Sequence, residues 1–217
     1  FMIAERQNSS MKGFSLLRKL EYQKLANVEI SGRILDIGGS RESEYHKLIK
    51  GKHDIIVANI DESRGADIKL DAEKPFPIES DSFEAVLMFN VLEHLFDYNN
   101  AAGESYRILK TGGKLIGVTP FLFPVHEAPS DYFRYTGHAL VRIFKKAGFK
   151  DIEIKELGSG LFSAVYQLST GIYRFRLIAF PLLKILPLID RIFKFIRPNS
   201  YITQRHMPLG YFFTAKK

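Results

Sequence analysis

The chain has 217 residues, of which 46% are hydrophobic, and this size suits one globular domain with a full hydrophobic core and a smaller appendage. It contains no cysteine, which excludes disulfides, thiolate metal sites and cysteine nucleophiles. The net charge of +7 is uneven, because residues 1–160 carry 22 Lys and Arg against 23 Asp and Glu, whereas residues 161–217 carry 9 against 1. This split predicts a basic C-terminal appendage that meets an anionic surface.

The first 120 residues predict strands that alternate with helices. The expected strands are short and apolar, and several are rich in β-branched residues, which is typical of buried parallel strands. Such alternation requires crossover helices, which cover both faces of the sheet. The predicted strands span residues 33–37, 54–61, 66–70, 83–89 and 114–119, and the predicted helices span residues 11–27, 43–49 and 99–109, the last one stopped by residues 111–113.

The remainder of the chain predicts one further helix and two strands. Thr136 is suited to cap the N-terminus of a helix over residues 137–147, and Gly148 is suited to end it. Alternating apolar and polar residues predict a sixth strand over residues 150–157, and a last strand is predicted over residues 209–215.

Two acidic residues close the first two predicted strands. Asp36 lies in an apolar run that Gly38 and Gly39 follow at once, and glycine there allows a sharp turn and the close approach of a ligand. Asp61 closes the second strand, 25 positions after Asp36. In Rossmann-like sheets, an acid about this far along the chain accepts hydrogen bonds from both ribose hydroxyls of an adenosine. The pair therefore predicts a nucleoside cofactor at the carboxyl edge of the sheet, although an ordinary turn with a solvated acid has the same local pattern.

Several motifs follow one another in a fixed order. They are ILDIGG at residues 34–39, Asp61, DA at 71–72, PFP at 75–77, SFEAV at 82–86, NVLEHL at 90–95 and RILKTGGKL at 107–115. Together they resemble the class I S-adenosylmethionine-dependent methyltransferases, in particular the type-11 family, over roughly residues 30–120. The resemblance implies an α/β fold with a Rossmann-like sheet of seven mostly parallel strands, helices on both faces and an antiparallel last strand. It also implies S-adenosylmethionine as the cofactor.

The resemblance assigns a role to each cofactor-binding residue. The acid of the first strand and the two glycines after it would hold the methionine end of the cofactor, and the asparagine after the fourth strand would border the sulfonium. Asp61 would take the ribose hydroxyls, and Asp71 would face the adenine amine with Ala72 beside the ring. The implied cofactor-binding residues are therefore Asp36, Gly38, Gly39, Asp61, Asp71, Ala72 and Asn90.

The glycine turn departs from the family pattern. The family usually carries Gly-x-Gly-x-Gly after the acid, and the corresponding positions here are Gly38, Ser40 and Glu42. The side chain of Ser40 and the charge of Glu42 predict weaker cofactor binding or another path for the loop. They also leave open a family member that has lost catalysis.

Two histidines are candidates for catalysis. A sulfonium is already activated, so alignment of the nucleophile, the methyl carbon and the sulfur is the main demand on the protein, and a hydroxyl acceptor also benefits from a base. His94 follows the fourth strand, and His126 lies in the proline-containing loop after the fifth strand, on the same edge of the sheet. A purely local structural role is the alternative for His94. We predict no metal site.

The loop that begins at His126 is the predicted acceptor region. It is dense in charged and aromatic side chains, and it resembles a His-x-x-Pro-x-Asp-Tyr-Phe-Arg-Tyr-Thr stretch of bacterial relatives, many of them linked with surface-polysaccharide or glycolipid pathways. Loops at strand ends carry function more often than cores do. The alternative is that Asp131 and Arg134 pair with each other while the aromatic rings only pack. The predicted acceptor-binding residues are Asp131, Tyr132, Arg134 and Tyr135.

Residues 158–205 separate the last two predicted strands and are too long for a hairpin loop. Their uncharged runs are shorter than the roughly 20 residues that span a bilayer. Pro181, Pro187 and Pro198 predict that the segment is cut into helical pieces. Basic and aromatic residues on short amphipathic helices suit a membrane surface with anionic lipid, and a lid over the acceptor pocket or a homodimer interface is the alternative. The predicted domains are a methyltransferase domain over residues 1–157 and 206–217 and a helical insertion over residues 158–205.

These features predict a methyltransferase that acts at oxygen on a small or lipid-linked acceptor, with saccharides among the candidates. An NAD-type oxidoreductase shares the strand-end acids, but the Gly-x-Gly-x-x-Gly pattern is missing. A non-catalytic binding module of the same fold is an alternative, and so is a nucleic-acid methyltransferase, which the sequence pI of about 9.4 suggests and the apolar neighbours of the basic residues disfavour. The first residues lack a signal-peptide pattern, so we expect a cytoplasmic protein with peripheral contact at the inner membrane face.

Overall fold

The computed structural model describes residues 15–126, 130–169, 176–198, 200 and 203–217, and it describes the backbone alone at residues 176–180, 183 and 184. The helices are α1 (Leu16–Leu25), α2 (Tyr98–Ile108), α3 (Gly137–Ala147), α4 (Leu161–Leu168) and α5 (Arg176–Ile196), with 3₁₀ turns at Glu44–Leu48, Glu62–Arg64 and Leu92–His94. The strands are β1 (Gly32–Ile37), β2 (His53–Asn59), β3 (Ile68–Lys69), β4 (Phe83–Phe89), β5 (Leu109–Pro120), β6 (Lys150–Leu157) and β7 (Gly210–Lys216).

The seven strands form one sheet in the order β3-β2-β1-β4-β5-β7-β6. β1 pairs in parallel with β2 and with β4, so that Leu35 lies opposite Ile56 on one side and Val86 on the other. β2 pairs in parallel with β3, and β4 pairs in parallel with β5, whereas β7 is antiparallel. The predicted Rossmann-like architecture is therefore confirmed.

The two central strands are covered on both faces. Ile34, Leu35 and Ile37 of β1 are buried, and so are residues 85–88 of β4. A continuous apolar run is needed at such positions because neither face of the strand meets water. The carboxyl ends of β1, β2 and β4 lie side by side at one edge of the sheet, which is where open α/β sheets bind ligands.

Several predicted elements are confirmed with their bounds. β4, α3 and β6 span the predicted residues. The Thr136 hydroxyl accepts a hydrogen bond from the Ala139 N–H (3.3 Å), and Gly148 ends α3 in the left-handed conformation with φ +105°. These caps satisfy backbone groups that have no partner inside the helix, which explains why the sequence alone located both helix ends.

Some predictions are wrong. The second and third strands end two residues and one residue earlier than predicted, at Asn59 and Lys69. The short helix expected over residues 43–49 is a 3₁₀ turn, and β5 begins at Leu109 rather than at Lys114. Leu109 pairs with Phe83, and the next pair joins Lys114 to Ala85, so the extra residues on β5 form a β-bulge. The expected helix stop at residues 111–113 is therefore part of a strand. Gly112 lies within the bulge and adopts a φ of +82°, which glycine tolerates better than other residues.

The chain divides into two compact units. One unit comprises residues 22–120, 125–155 and 211–217 and contains most of the sheet. The other comprises the described residues of 1–21, 121–124 and 156–210 and contains α4 and α5. No helix in the part of the chain that the structure describes is long and apolar enough to cross a membrane.

α5 continues without interruption through Pro181 and Pro187. The prediction that these prolines cut the segment into pieces is therefore wrong, whereas Pro198 does follow the end of the helix. A proline removes one N–H donor and bends a helix, but the hydrogen bonds of the neighbouring residues can carry the helix past it.

Buried Asp190 of α5 anchors the start of α4. Its carboxylate accepts hydrogen bonds from the backbone N–H groups of Phe162 (3.0 Å) and Ser163 (2.9 Å), and from the Ser163 hydroxyl (2.5 Å). The first N–H groups of a helix have no partner inside it, so the carboxylate supplies the missing acceptor. The rings of Phe162 and Phe193 complete the contact with centroids 5.5 Å apart.

Candidate active site

Asp36 lies at the carboxyl end of β1 with its side chain fully buried. The Tyr45 hydroxyl (2.6 Å) and Nε2 of His46 (2.7 Å) both contact its Oδ2 atom. Burial raises the pKa of Asp36 above its ordinary value, and the contacts from His46 and Tyr45 offset part of that rise. Its other oxygen, Oδ1, is buried and has no hydrogen-bond partner among the residues that the structure describes. A buried acceptor without a donor is costly, so Oδ1 marks a place for a polar ligand group or a water.

The backbone turn after Asp36 leaves no room for side chains. Gly38 has a φ of +77°, and a Cβ atom there would lie 2.6 Å from Cγ2 of Val91. A Cβ atom at Gly39 would lie 1.9 Å from Oδ2 of Asp36. Glycine is therefore required at both positions, and the backbone at this turn stays open to a ligand.

Asn59, at the end of β2, holds this turn in place and was missed by the sequence analysis. Its buried amide donates to the Gly39 carbonyl (2.7 Å), and its Oδ1 atom accepts from the Asp61 N–H (3.0 Å). One amide side chain thus links the glycine turn to the acid of the second strand. A polar residue inside the apolar run of residues 55–60 was the signal that could have identified it.

The two non-glycine positions of the turn are occupied by side chains that bond locally. The Ser40 hydroxyl donates to the Arg64 carbonyl (3.2 Å), and the Ser40 N–H donates to the Ser43 hydroxyl (3.0 Å). Glu42 is exposed, and its N–H donates to the Ser40 hydroxyl (3.3 Å). In this chain, side-chain hydrogen bonds shape the part of the turn that glycines shape in the family pattern.

Asp61 presents an exposed carboxylate two residues after β2. It accepts hydrogen bonds from the N–H (3.0 Å) and the hydroxyl (2.6 Å) of Ser63, and these bonds lower its pKa. Nε of Arg64 lies 3.6 Å from its second oxygen. The carboxylate is therefore ionised at neutral pH and suited to accept hydrogen bonds from hydroxyl groups. The neighbouring Ile60, which the sequence analysis did not select, exposes 58% of its surface and offers an apolar contact at the same edge.

Asp71 and Ala72 follow β3. The Asp71 carboxylate accepts from the Glu73 N–H (3.0 Å) and lies 3.1 Å from Nζ of Lys74, and these contacts lower its pKa. Ala72 is buried, and its carbonyl accepts from the side chain of Asn100 (2.9 Å). The loop is thus held by its own hydrogen bonds at the position that the sequence analysis assigned to adenine.

Asn90 directly follows β4 and adopts a φ of +54°. Its N–H donates to the Val118 carbonyl (2.8 Å), which fixes this conformation against β5. Asparagine tolerates the left-handed region better than most residues, and such positions cluster at functional sites. We call the strand-end residues Asp36, Gly38, Gly39, Asp61 and Asn90 the cofactor edge.

Glu93, His94 and His126 form a compact cluster beyond Asn90. The imidazole rings of His94 and His126 meet edge to face with centroids 4.9 Å apart. Nδ1 of His94 lies 2.5 Å from the Ser130 carbonyl, which assigns the proton to Nδ1. Glu93 is fully buried, and the Thr119 hydroxyl lies 3.4 Å from its Oε2 atom. The structure thus brings together the two predicted catalytic histidines and adds a buried carboxylate that the sequence analysis did not select.

The described part of the predicted acceptor loop, residues 130–136 after His126, pairs its charges internally. Arg134 donates to both carboxylate oxygens of Asp131, at 2.5 and 2.6 Å. Burial would raise the pKa of Asp131, but Arg134 and the His126 N–H outweigh burial and lower this pKa to about 2. Nδ1 of His126 also lies 3.3 Å from Oδ2 of Asp131. The predicted alternative of an Asp131–Arg134 pair is therefore present in the structure.

The two tyrosines of this loop differ in exposure. Tyr135 is buried, its hydroxyl donates to the Leu92 carbonyl (3.1 Å), and burial raises its pKa. Tyr132 is exposed and meets the exposed ring of Phe96 edge to face, with centroids 5.5 Å apart. Tyr132 is thus open to solvent, whereas Tyr135 holds the loop against the 3₁₀ turn that carries Glu93 and His94.

Comparison with known proteins agrees with the fold of the chain. Residues 17–117 match the methyltransferase domain family. A search of curated proteins gave no match.

Solved structures share the fold. An S-adenosylmethionine-dependent methyltransferase from Archaeoglobus fulgidus is 16% identical with a TM-score of 0.61, and the alignment covers 95% of this chain and 97% of that one. A methyltransferase of the same cofactor dependence from Mesorhizobium loti is 16% identical with a TM-score of 0.59, covering 94% and 100%. Phosphoethanolamine N-methyltransferase 2 from Haemonchus contortus, solved with S-adenosylmethionine, is 17% identical with a TM-score of 0.53, covering 91% and 51%. The family match thus covers the part of the chain that carries β1 to β4 and most of β5, and the solved structures share the fold of the chain.

Proposed function

We propose that this chain is an S-adenosylmethionine-dependent methyltransferase that acts on a hydroxyl oxygen of a small or lipid-linked acceptor, with saccharides among the candidates. The observation that carries the proposal is the pair of imidazole rings, His94 and His126, that follows Asn90 at the carboxyl edge of the sheet. In methyl transfer to oxygen, the acceptor hydroxyl loses its proton. An imidazole of the His94–His126 pair is a group at this edge that can accept that proton.

The cofactor edge fits S-adenosylmethionine. The buried Oδ1 atom of Asp36 is suited to a polar group of the methionine end. A side chain at Gly38 or Gly39 would collide with Val91 or with Asp36, so glycine keeps this turn free of side chains. Asp61 would accept the ribose hydroxyls, and Asn90 would border the methionine moiety. When bound, S-adenosylmethionine supplies a methyl group that its sulfonium charge already activates, so the residues of the cofactor edge contribute mainly alignment.

The loop residues divide into positioning and contact groups. Asp131 and Arg134 hold His126 through the Asp131 carboxylate, which lies 3.3 Å from its Nδ1 atom. Tyr132, exposed beside Phe96, would contact the acceptor. We propose that the predicted acceptor-binding residues Asp131, Arg134 and Tyr135 act through the shape of this loop.

Two measurements test the proposal. Calorimetric titration should show binding of S-adenosylmethionine and none of NAD, which separates a methyltransferase from an oxidoreductase. Mass spectrometry of products from a panel of hydroxyl, amine and nucleic-acid acceptors should then show a gain of one methyl group on a hydroxyl acceptor. Methylation of amines or nucleic acid alone would overturn the oxygen assignment, and cofactor binding without any product would favour the non-catalytic module.

We also propose that residues 1–157 and 206–217 form the catalytic domain, that residues 158–205 are an insertion, and that this insertion rests on an anionic membrane surface. Large apolar side chains near the end of α5 are exposed, with Phe195 at 90% and Ile196 at 65%. Arg191 and Lys194 are exposed among them. An apolar surface interspersed with cations suits the interface of an anionic leaflet. A lid and a homodimer interface are the competing roles.

Liposome sedimentation tests this role. Wild-type protein should sediment with anionic vesicles at low salt and be released at high salt, because exposed cations are screened by salt. Replacing Arg191 and Lys194 with Gln should reduce sedimentation several-fold. The matched control replaces two exposed cations of α3, Arg142 and Lys145, with Gln and should sediment as the wild type does. If wild-type protein stays in the supernatant at low salt, the membrane role is contradicted, and a lid or a homodimer interface remains as the role of this segment.

A further inference from the structure

We propose that Glu93, His94 and His126 form a binding site for one divalent transition-metal ion, with Zn²⁺ as the best match. One ligand atom from each of the three residues lies within 4.8 Å of the other two. Two imidazole nitrogens and one carboxylate oxygen are a donor set that first-row divalent metals accept. The inference departs from the sequence-based expectation of no metal site, because only the fold brings His126 next to the other two residues.

The distances are close to those of a metal site. Nε2 of His94 lies 3.8 Å from Oε1 of Glu93. Zinc–ligand bonds of about 2.1 Å place neighbouring ligand atoms roughly 3.0–3.5 Å apart. A contraction of less than an ångström would bring this pair to the spacing of zinc ligands, and a pair as wide as 4.8 Å would need a contraction of about 1.3–1.8 Å. Rotation of the Glu93 carboxylate and of the two imidazole rings can supply these shifts.

The groups behind the three ligands hold them in a metal-binding orientation. Metal-bound histidines almost always direct their second ring nitrogen to a carbonyl or a carboxylate. Nδ1 of His94 faces the Ser130 carbonyl (2.5 Å), and Nδ1 of His126 faces the Asp131 carboxylate (3.3 Å). We assign Nε2 of both rings as the ligand atoms, because these contacts direct Nδ1 away from the centre of the cluster.

The backbone around the cluster is also fixed. The Glu93 carbonyl accepts from the Tyr132 N–H (2.8 Å), and the Tyr135 hydroxyl donates to the Leu92 carbonyl (3.1 Å). Arg134 holds Asp131 by two hydrogen bonds, and Asp131 in turn faces His126. The loop and the 3₁₀ turn that supply the three ligands are thus tied to each other, as a preorganised site requires.

Three protein ligands leave coordination positions for an acceptor oxygen, and this role rests on the proposed function. A hydroxyl bound to such an ion has a lowered pKa and releases its proton to solvent water. The resulting alkoxide forms a bond to the methyl carbon as the carbon–sulfur bond breaks, and the bonding electron pair remains on sulfur as a neutral thioether. The ion, rather than a histidine acting as base, then promotes the loss of the proton.

Cobalt binding tests the site without any need for turnover. Tag-free protein, treated with a chelator and dialysed, is titrated with Co²⁺ while the visible ligand-field absorption is recorded, and Zn²⁺ is used to displace the cobalt. We expect one Co²⁺ per chain, and a loss of affinity of at least about 100-fold in His126→Ala and in Glu93→Gln. The matched control His138→Ala, at an exposed position of α3, should bind as the wild type does. Circular dichroism and S-adenosylmethionine titration of each variant verify that it is folded.

The outcomes separate this inference from the proposed function. Absent or substoichiometric cobalt binding, or equal binding by the wild type and a folded His126→Ala variant, would overturn the metal site. Cobalt binding by a protein that never methylates a hydroxyl would support the site and contradict the oxygen assignment. Full methylation of a hydroxyl acceptor by the chelator-treated protein, without cobalt binding, would keep the proposed function and remove the metal.

Discussion

The cofactor edge and the loop of residues 130–136 lie in the same compact unit but are built in different ways. At the cofactor edge, the turn is fixed by the Asn59 amide and by the hydroxyls of Ser40 and Ser43, while the carboxylate of Asp61 stays exposed. In the loop, Asp131 and Arg134 satisfy each other, and the exposed aromatic side chains are uncharged. The comparison teaches that the first region leaves a carboxylate exposed, whereas in the second region the charges pair with each other and contact His126.

The largest effect of a substitution is expected on turnover at His126, in the second of these two regions. His126→Ala should lower turnover about 10²–10⁴-fold, whether the imidazole takes the proton or holds an ion that promotes its loss. S-adenosylmethionine affinity should stay near the wild-type value, because His126 lies outside the cofactor edge. Steady-state kinetics with a methylated product and calorimetry measure the two quantities, with His138→Ala as the control. Unchanged turnover at every pH would remove His126 from catalysis.

Gly39→Ala tests the first region, the glycine turn of the cofactor edge. The new Cβ atom would lie 1.9 Å from Oδ2 of Asp36, so the buried carboxylate or the turn must move. We expect a loss of roughly 1–3 kcal/mol in the free energy of unfolding and a marked loss of S-adenosylmethionine affinity. Urea denaturation and calorimetry provide the measurements.

Gly103→Ala is the matched control for this change. Gly103 lies inside α2, and a Cβ atom there would meet nothing within 4 Å. Alanine should therefore raise the free energy of unfolding by roughly 0.5–1 kcal/mol through helix propensity. Equal effects of the two substitutions would show that the turn is not sterically constrained.

The Asp131–Arg134 pair predicts a pH dependence of stability. The folded-state pKa of Asp131 is lowered from 3.8 to about 2, so the pair contributes its full stabilisation above pH 4 and loses it as the pH falls from 4 to 2. Asp131→Asn should cost about 2 kcal/mol of unfolding free energy at neutral pH and progressively less toward pH 2. Asp54→Asn, at an exposed position of β2, is the control. A difference between Asp131→Asn and the wild type that stays constant over pH 4 to 2 would contradict the pair.

The sequence predicted the elements that local signals define. α3 carries its own caps in Thr136 and Gly148, and β4 carries the apolar run of residues 85–89, so their bounds needed no partner. The bulge in β5 could not be predicted, because it depends on which residue of β4 lies opposite Leu109. The continuation of α5 through Pro181 and Pro187 is likewise contrary to what the two prolines indicate locally.

The candidate site also contains residues that local sequence signals identify and residues that only tertiary contacts identify. The strand-end acids and the glycine turn follow from spacing along the chain, whereas Asn59 and Glu93 matter through neighbours distant in sequence. Glu93 lies next to His94 in the chain, but its relation to His126 and Thr119 arises only when β4 and β5 pair. Local patterns therefore selected the strand-end residues, and tertiary pairing was needed to define the imidazole cluster.

Calorimetric titration of S-adenosylmethionine into the wild type and Asp61→Ala tests most directly that the cofactor edge binds the cofactor. Loss of one exposed, ionised acceptor for two ribose hydroxyls should weaken binding by roughly 1–2 kcal/mol, about 5–30-fold, while the neighbouring control Glu62→Ala binds as the wild type does. Equal affinity of Asp61→Ala and the wild type would contradict the placement of the ribose at Asp61 and, with it, the central role of this edge.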